Sequence, residues 1–125
     1  LRSEKFTISV SPERISKCGM NKIYAGVHWT VRKKQAMEMH EITAQAIKNQ
    51  CTTPKMFDTP VDVEIAYNTR MDIDNHSYLS KMIIDGMKGL FIEDDTRKYV
   101  RSLKQAFHDG NRTEIIVKVT ACDKI

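Results

Sequence analysis

No window of the 125-residue chain approaches the roughly 18 uncharged apolar residues that a membrane-spanning helix needs, and the N-terminus has no apolar core like that of a secretory signal. That pattern argues against membrane insertion. Residue 1 is Leu, which leaves a lost start residue or a processed leader open. Cysteine is scarce: Cys18, Cys51 and Cys122 are widely spaced, form no CxxC and have no His at metal-ligand spacing. They support neither a disulfide framework nor a zinc site, and they predict reduced thiols and a cytoplasmic home. There is no glycine-rich phosphate loop, so nucleotide hydrolysis by a P-loop has no support. His28, His40 and His108 have no partner at ligand spacing, and no Ser-His-Asp arrangement can be argued. Repeats, low-complexity stretches and dividing linkers are also missing.

What is present is globular in character. The chain is 41% apolar and 29% charged, and at 125 residues it has the length of one domain, taken as residues 1–125. The net charge of +4 hides an asymmetry: residues 1–57 hold ten Lys or Arg against four acids, whereas residues 58–125 hold ten against twelve. A basic region beside a group of carboxylates suits an enzyme acting on a polyanion, with cations holding phosphates and carboxylates holding a metal. A solvated basic helix face explains the same charge equally well.

Hydrophobic periodicity gives the order β-α-β-α-β-β. Phe6, Ile8 and Val10 alternate in a first strand closed by Pro12, and a loop follows. From His28 to Gln50, Ala36, Met39, Ile42, Thr43, Ala46 and Ile47 recur at helical spacing. Val61, Val63, Ile65 and Tyr67 alternate in a second strand with one buried face. Leu79, Met82, Ile83, Met87 and Leu90 then form one stripe of a second helix over about Asn75 to Lys88, with Gly86 on that stripe expected to approach a sheet. Tyr99 to Phe107 and Glu114 to Ala121 read as strands joined by a hairpin turn at Asp109-Gly110-Asn111. The expectation is an α/β (α+β) domain, a mixed sheet with two helices packed on it.

The informative stretch is Arg70-Met71-Asp72-Ile73-Asp74-Asn75. If the second strand continues unbulged, Asp72 and Asp74 share the even-numbered face with Asp62, Glu64 and Asn68, and two carboxylates can reach a common cation. Mg²⁺ takes oxygen ligands from a few carboxylates, with water and substrate phosphate completing its shell. Asp95 joins them only if the chain folds back through Gly89 to Ile92. A plainer reading has Asp74 capping the second helix, Asp72 as a loop acid and Glu93 to Asp95 as a polar turn.

The pattern Asp72-x-Asp74-Asn75, then Lys81-x-x-x-Asp85-Gly86-Met87, then Asp94-Asp95, resembles the RusA family of Holliday-junction resolvases. The stretch Asn21 to Trp29, running into Arg32-Lys33-Lys34, resembles phage and prophage members of that family, and the likeness covers roughly residues 6–120. It implies a homodimeric, Mg²⁺-dependent endonuclease, with Mn²⁺ as a substitute, that makes paired cuts in four-way DNA junctions during recombination and repair. It further implies that Asp72, Asp74 and Asp95 bind the metal, with Asp94 a weaker candidate, and that Lys81 is the cation at the scissile phosphate. Arg32, Lys33, Lys34 and Lys81 would contact DNA.

One departure matters. In the family pattern the lysine follows the Asn by three residues, but here Tyr78 holds that place and Lys81 stands six residues after Asn75. In a helix three extra residues turn a side chain by about 300° and advance it about 4.5 Å, so a flexible lysine still arrives. The alternative is a non-cleaving junction-binding protein on the same fold. His76, beside the acids, is expected to be an exposed first-turn histidine. Trp29 with Tyr24 and the basic run either stacks on an unpaired base or packs in the core. The seven methionines are core filler.

Overall fold

Four runs of alternating burial fold into one mixed sheet. In the computed structural model, which describes residues 1–122, the strands are β1 (Ser3–Ser9), β2 (Val61–Tyr67), β3 (Val100–Phe107) and β4 (Glu114–Ala121). Val61, Val63, Ile65 and Tyr67 of β2 and Ile115, Val117 and Val119 of β4 point into the core, as their period of two requires. The order across the sheet is β1-β4-β2-β3. β4 runs antiparallel to both β1 and β2, and β2 runs parallel to β3.

This order corrects the expected hairpin. A turn does occupy residues 108–113, but β2 lies between β3 and β4, so the two strands never pair. Alternation tells which residues face inward; it does not tell which strand is the neighbour. The turn is instead pinned to the end of β2, where the His108 N–H donates to the Tyr67 carbonyl at 2.9 Å and Asn68 Nδ2 donates to the Gly110 carbonyl at 2.6 Å.

Four helices replace the expected two: α1 (Pro12–Lys17), α2 (Met20–Gly26), α3 (Trp29–Gln50) and α4 (Ser77–Gly86), the last entered through a 3-10 turn at Ile73–His76. α1 and α2 lie where a loop is expected, and they are too short to show a hydrophobic period. The signal for α1 is local: the Ser11 side chain accepts from the Arg14 N–H and Pro12 opens the helix. α3 and α4 pack on each other and over the sheet, closing a core of Phe6, Ile8, Met39, Ile47, Leu79, Ile83, Met87 and Phe91. Each such side chain contributes about 1.5–3 kcal/mol on burial. Gly86 meets α3 rather than the sheet: a Cβ there would stand 2.7 Å from Thr43 Cβ and 3.2 Å from the His40 carbonyl oxygen. No disulfide forms among the described residues, and no helix among them is long and apolar enough to cross a membrane.

Candidate functional site

The site grows from the end of β2. The strand stops at Tyr67, and Asp72 has extended backbone (φ −59°, ψ 151°) just before the 3-10 turn. Its carbonyl accepts from the Asn75 N–H at 3.0 Å, and the Asp74 carbonyl accepts from Ser77 Oγ at 2.8 Å. The acids therefore sit on a loop and a tight turn, so the expected strand parity with Asp62, Glu64 and Asn68 does not reach them. The carboxylates of Asp72 and Asp74 are exposed, and no ion pair holds either of them among the described residues. Helix α4 has no side-chain cap bond at its start, so Asp74 is not spent on capping.

The loop is held from beneath by His76, which is 0% exposed where an exposed histidine was expected. Its ring stacks on Tyr67 (centroids 4.3 Å, 26° between planes) and meets Phe107 edge-on at 5.8 Å. Two aromatic rings thus cover a side chain whose residue type suggests solvent. A carbonyl can only accept, so Nδ1–H donates to the Ile73 carbonyl at 2.9 Å, leaving Nε2 to accept from the Thr69 hydroxyl at 2.7 Å. Thr69 Oγ1 in turn accepts from the Met71 N–H at 3.1 Å. Below the ring, the Tyr67 hydroxyl and Ser80 Oγ are 2.8 Å apart, and Ser80 Oγ donates to Gln105 Oε1 at 2.7 Å. Burial pushes the Tyr67 phenol far up, so it stays protonated. Asn75 Oδ1 accepts from the Asn21 N–H at 2.7 Å, joining the loop to the start of α2.

The chain does fold back after α4, through Gly89 (φ 83°), whose N–H donates to the Ile92 carbonyl at 2.8 Å. Phe91 and Ile92 bury themselves in that turn and bring Asp95 beside Lys81, 3.7 Å from its Nζ. Lys81 also pairs with Asp85 at 3.6 Å, and Lys88 bridges Asp85, Asp94 and Asp95 at 3.2, 3.5 and 3.5 Å. His40 Nε2 lies 3.7 Å from the Asp85 carboxylate. Burial alone would raise the Asp85 carboxyl, but Lys88, Asp95 and Lys81 outweigh it and hold it below the usual carboxylate range. Lys88 loses some solvation too, yet the three carboxylates around it raise its pKa.

This cluster sits toward the far end of α4. From Asp74 to Asp85 the helical path is roughly 16 Å at about 1.5 Å per residue. No hydrogen bond or ion pair among the described residues joins the cluster to Asp72 or Asp74. Nor does any group of three or more His, Cys, Asp or Glu side chains among them stand close enough to hold a metal. The structure thus brings Lys81 to Asp95, while Asp72 and Asp74 stand apart from that cluster, before and within the 3-10 turn. An Mg²⁺ ion, which completes its shell with water and phosphate oxygens, suits two exposed carboxylates free of cationic partners.

Basic groups lie on the elements next to the acid loop. Arg32, Lys33 and Lys34 are exposed on the first turns of α3, where Lys34 reaches Glu38 at 3.9 Å. Tyr78 donates to the Arg32 carbonyl at 3.3 Å and to Gln35 Oε1 at 3.1 Å, so it braces α3 against α4 and carries no charge. Arg70 and Arg112 line a cleft of about 170 Å³ with Asn68, Thr69 and Met71. Sequence reasoning missed Arg112 because only the sheet order carries the turn before β4 to the end of β2. Trp29 is 60% exposed and Tyr24 81%, which removes the core-packing reading of Trp29. No protein-family model matches the chain, and no curated protein matches it either.

Proposed function

We propose that the protein is an Mg²⁺-dependent, structure-selective endodeoxyribonuclease of the RusA type, acting as a homodimer on four-way DNA junctions. The observation that carries this reading is the Asp72-Ile73-Asp74-Asn75 loop, with two exposed, ion-pair-free carboxylates on a turn braced by a buried histidine, next to the cleft lined by Arg70 and Arg112. Carboxylates left without counter-ions repel one another and the phosphate backbone, an arrangement that makes physical sense where a cation is to be held.

When bound, the metal supplies a water of lowered pKa and stabilises charge on the phosphoryl oxygens. Asp72 and Asp74 would hold it, with Mn²⁺ a workable substitute. His76, Thr69 and Asn75 keep the loop in shape, and the basic groups hold the DNA by its phosphates. Lys81 and Asp95 are the further residues of the family pattern, paired with each other toward the far end of α4.

A second reading, a junction-binding protein that does not cut, is favoured by Tyr78 at the family's lysine place and by the engagement of Lys81 with Asp85 and Asp95. The test uses a synthetic immobile four-way junction and a matched linear duplex, with and without Mg²⁺. Metal-dependent paired nicking of the junction, abolished in Asp72→Asn while binding persists or tightens, is the expected outcome. Cutting that survives in Asp72→Asn would remove the acid loop from the chemistry. Tight junction binding without a nick under any metal would establish the non-cleaving binder.

A further inference from the structure

The turn between α2 and α3 presents its aromatic rings in an unusual way. An aromatic side chain normally covers 150–250 Å² on burial, which makes exposure of its faces a lost source of stability. Yet α2 has no buried residue at all, Tyr24 within it is 81% exposed, and Trp29, the chain's single tryptophan, is 60% exposed at the start of α3. Fraying does not account for this, because the segment is tied down at several points. The Asn21 N–H donates to Asn75 Oδ1 at 2.7 Å, Lys22 Nζ donates to Ser16 Oγ at 3.2 Å, and the Val31 and Arg32 N–H groups donate to the His28 carbonyl at 3.0 and 3.2 Å. Gly26, at φ 115°, makes the reversal that L side chains rarely adopt. The His28 ring lies 5.9 Å from the Trp29 ring at 30°, and its Nδ1 caps α3 by accepting from the Thr30 N–H at 3.2 Å. The rings are held in place without being covered.

The charge around them selects the partner. From Lys17 to Lys33 stand Lys17, Lys22, Arg32 and Lys33 with no acid among them, while the neighbouring Arg14 and Lys34 pair with Glu38. A partner that offers flat apolar faces and regular negative charge together is a nucleic acid. Paired duplex DNA shows only base edges in its grooves, whereas unpaired nucleotides offer the faces that aromatic rings stack on. The tie to Asn75 sets this surface beside the Asp72–Asp74 loop.

We infer that the α2–α3 turn is a stacking platform for unpaired nucleotides at a DNA branch, with Trp29 and Tyr24 taking base faces and Arg32, Lys33 and Lys34 taking the flanking phosphates. The inference rests on the proposed action on DNA and adds what the protein recognises there. It assigns substrate choice to rings outside the acid loop, so a change at Trp29 alters which DNA is bound without altering the carboxylates.

Because Trp29 is the only tryptophan, its fluorescence reports on this surface alone. The experiment titrates the full chain, in metal-free buffer, with an oligothymidylate, with a four-way junction carrying unpaired nucleotides at its centre, and with a blunt duplex. Anisotropy of labelled DNA measures binding independently. Expected are quenching of the tryptophan emission by about twofold with the first two, none with bound duplex, and an affinity loss of about five- to hundredfold in Trp29→Ala for unpaired DNA only. Trp29→Phe should recover most of that loss. Arg32→Gln combined with Lys33→Gln should weaken all DNA alike and reduce the salt dependence. DNA that binds without changing the emission, or with equal quenching by duplex, overturns the platform while the DNA reading stands. Absence of binding to any DNA overturns both. A blue shift that grows with protein concentration alone assigns the rings to self-association and also overturns it.

Discussion

Replacing His76 with phenylalanine isolates what holds the acid loop. The imidazole is 0% exposed and stacks on Tyr67 at 4.3 Å, so a phenyl ring keeps most of its packing. What disappears is the donor to the Ile73 carbonyl at 2.9 Å and the acceptor for the Thr69 hydroxyl at 2.7 Å. Ile73 is exposed and Thr69 half-buried, so each lost bond costs about 0.5–1.5 kcal/mol, and His76→Phe should lose about 1–3 kcal/mol out of the roughly 5–15 typical of a domain. With a urea m-value of about 2 kcal/mol/M, the unfolding midpoint drops by about 0.5–1.5 M, measured by far-ultraviolet circular dichroism. His76→Asn keeps a short amide that can donate to Ile73, and it should recover part of the loss. Nitrogen-15 NMR of the wild-type ring should find the proton on Nδ1. Because the lost bonds lie under Asp72 and Asp74, Mg²⁺-dependent cleavage should fall in His76→Phe under conditions where the protein is fully folded. A stability loss below about 0.5 kcal/mol, or a ring protonated on Nε2 alone, would refute the argument that this histidine fixes the loop.

Gly86→Ala sets two effects against each other: alanine favours a helix by about 1 kcal/mol, but its Cβ would stand 2.7 Å from Thr43 Cβ, and such overpacking costs about 1–3 kcal/mol. A net loss of up to about 2 kcal/mol in urea unfolding is expected; a higher midpoint would mean that α3 gives way freely. Asp85 titrates below its ordinary 3.8 in the folded state, despite burial, because Lys88, Asp95 and Lys81 outweigh it. Its contribution is therefore present above that unfolded value and lost as pH falls through the lower folded one, so Asp85→Asn should lose stability at pH 7 and flatten the acid limb below about pH 4. Lys88 has the opposite sign: its raised pKa gives stability that is present below 10.5 and lost as pH rises through the folded value, which a base titration of the Lys88→Met variant checks. Both effects should shrink in high salt, since Lys81 and Lys88 reach into solvent.

Periodicity was enough to locate the strands and the long helices, because a period of two in Val61 to Tyr67 and a three-four stripe in Leu79 to Met87 each mark the face that is buried. The sequence also put both acids of the candidate site in one short stretch, Asp72 and Asp74, at the entry to α4. Tertiary structure decided everything that joins distant segments. Strand order inserted β2 between β3 and β4, turning an expected hairpin into a crossover and carrying Arg112 to the acid loop. Packing closed Tyr67 and Phe107 around His76, and a histidine becomes a buried brace only when partners from other elements satisfy both nitrogens. The return turn after α4 set Asp95 against Lys81 rather than Asp72, because the burial of Phe91 and Ile92 fixes where that turn docks. Exposure of Trp29 was equally out of reach, since residue type and spacing are the same for a ring in the core and a ring held out from it; only the neighbours that fail to cover it distinguish the two.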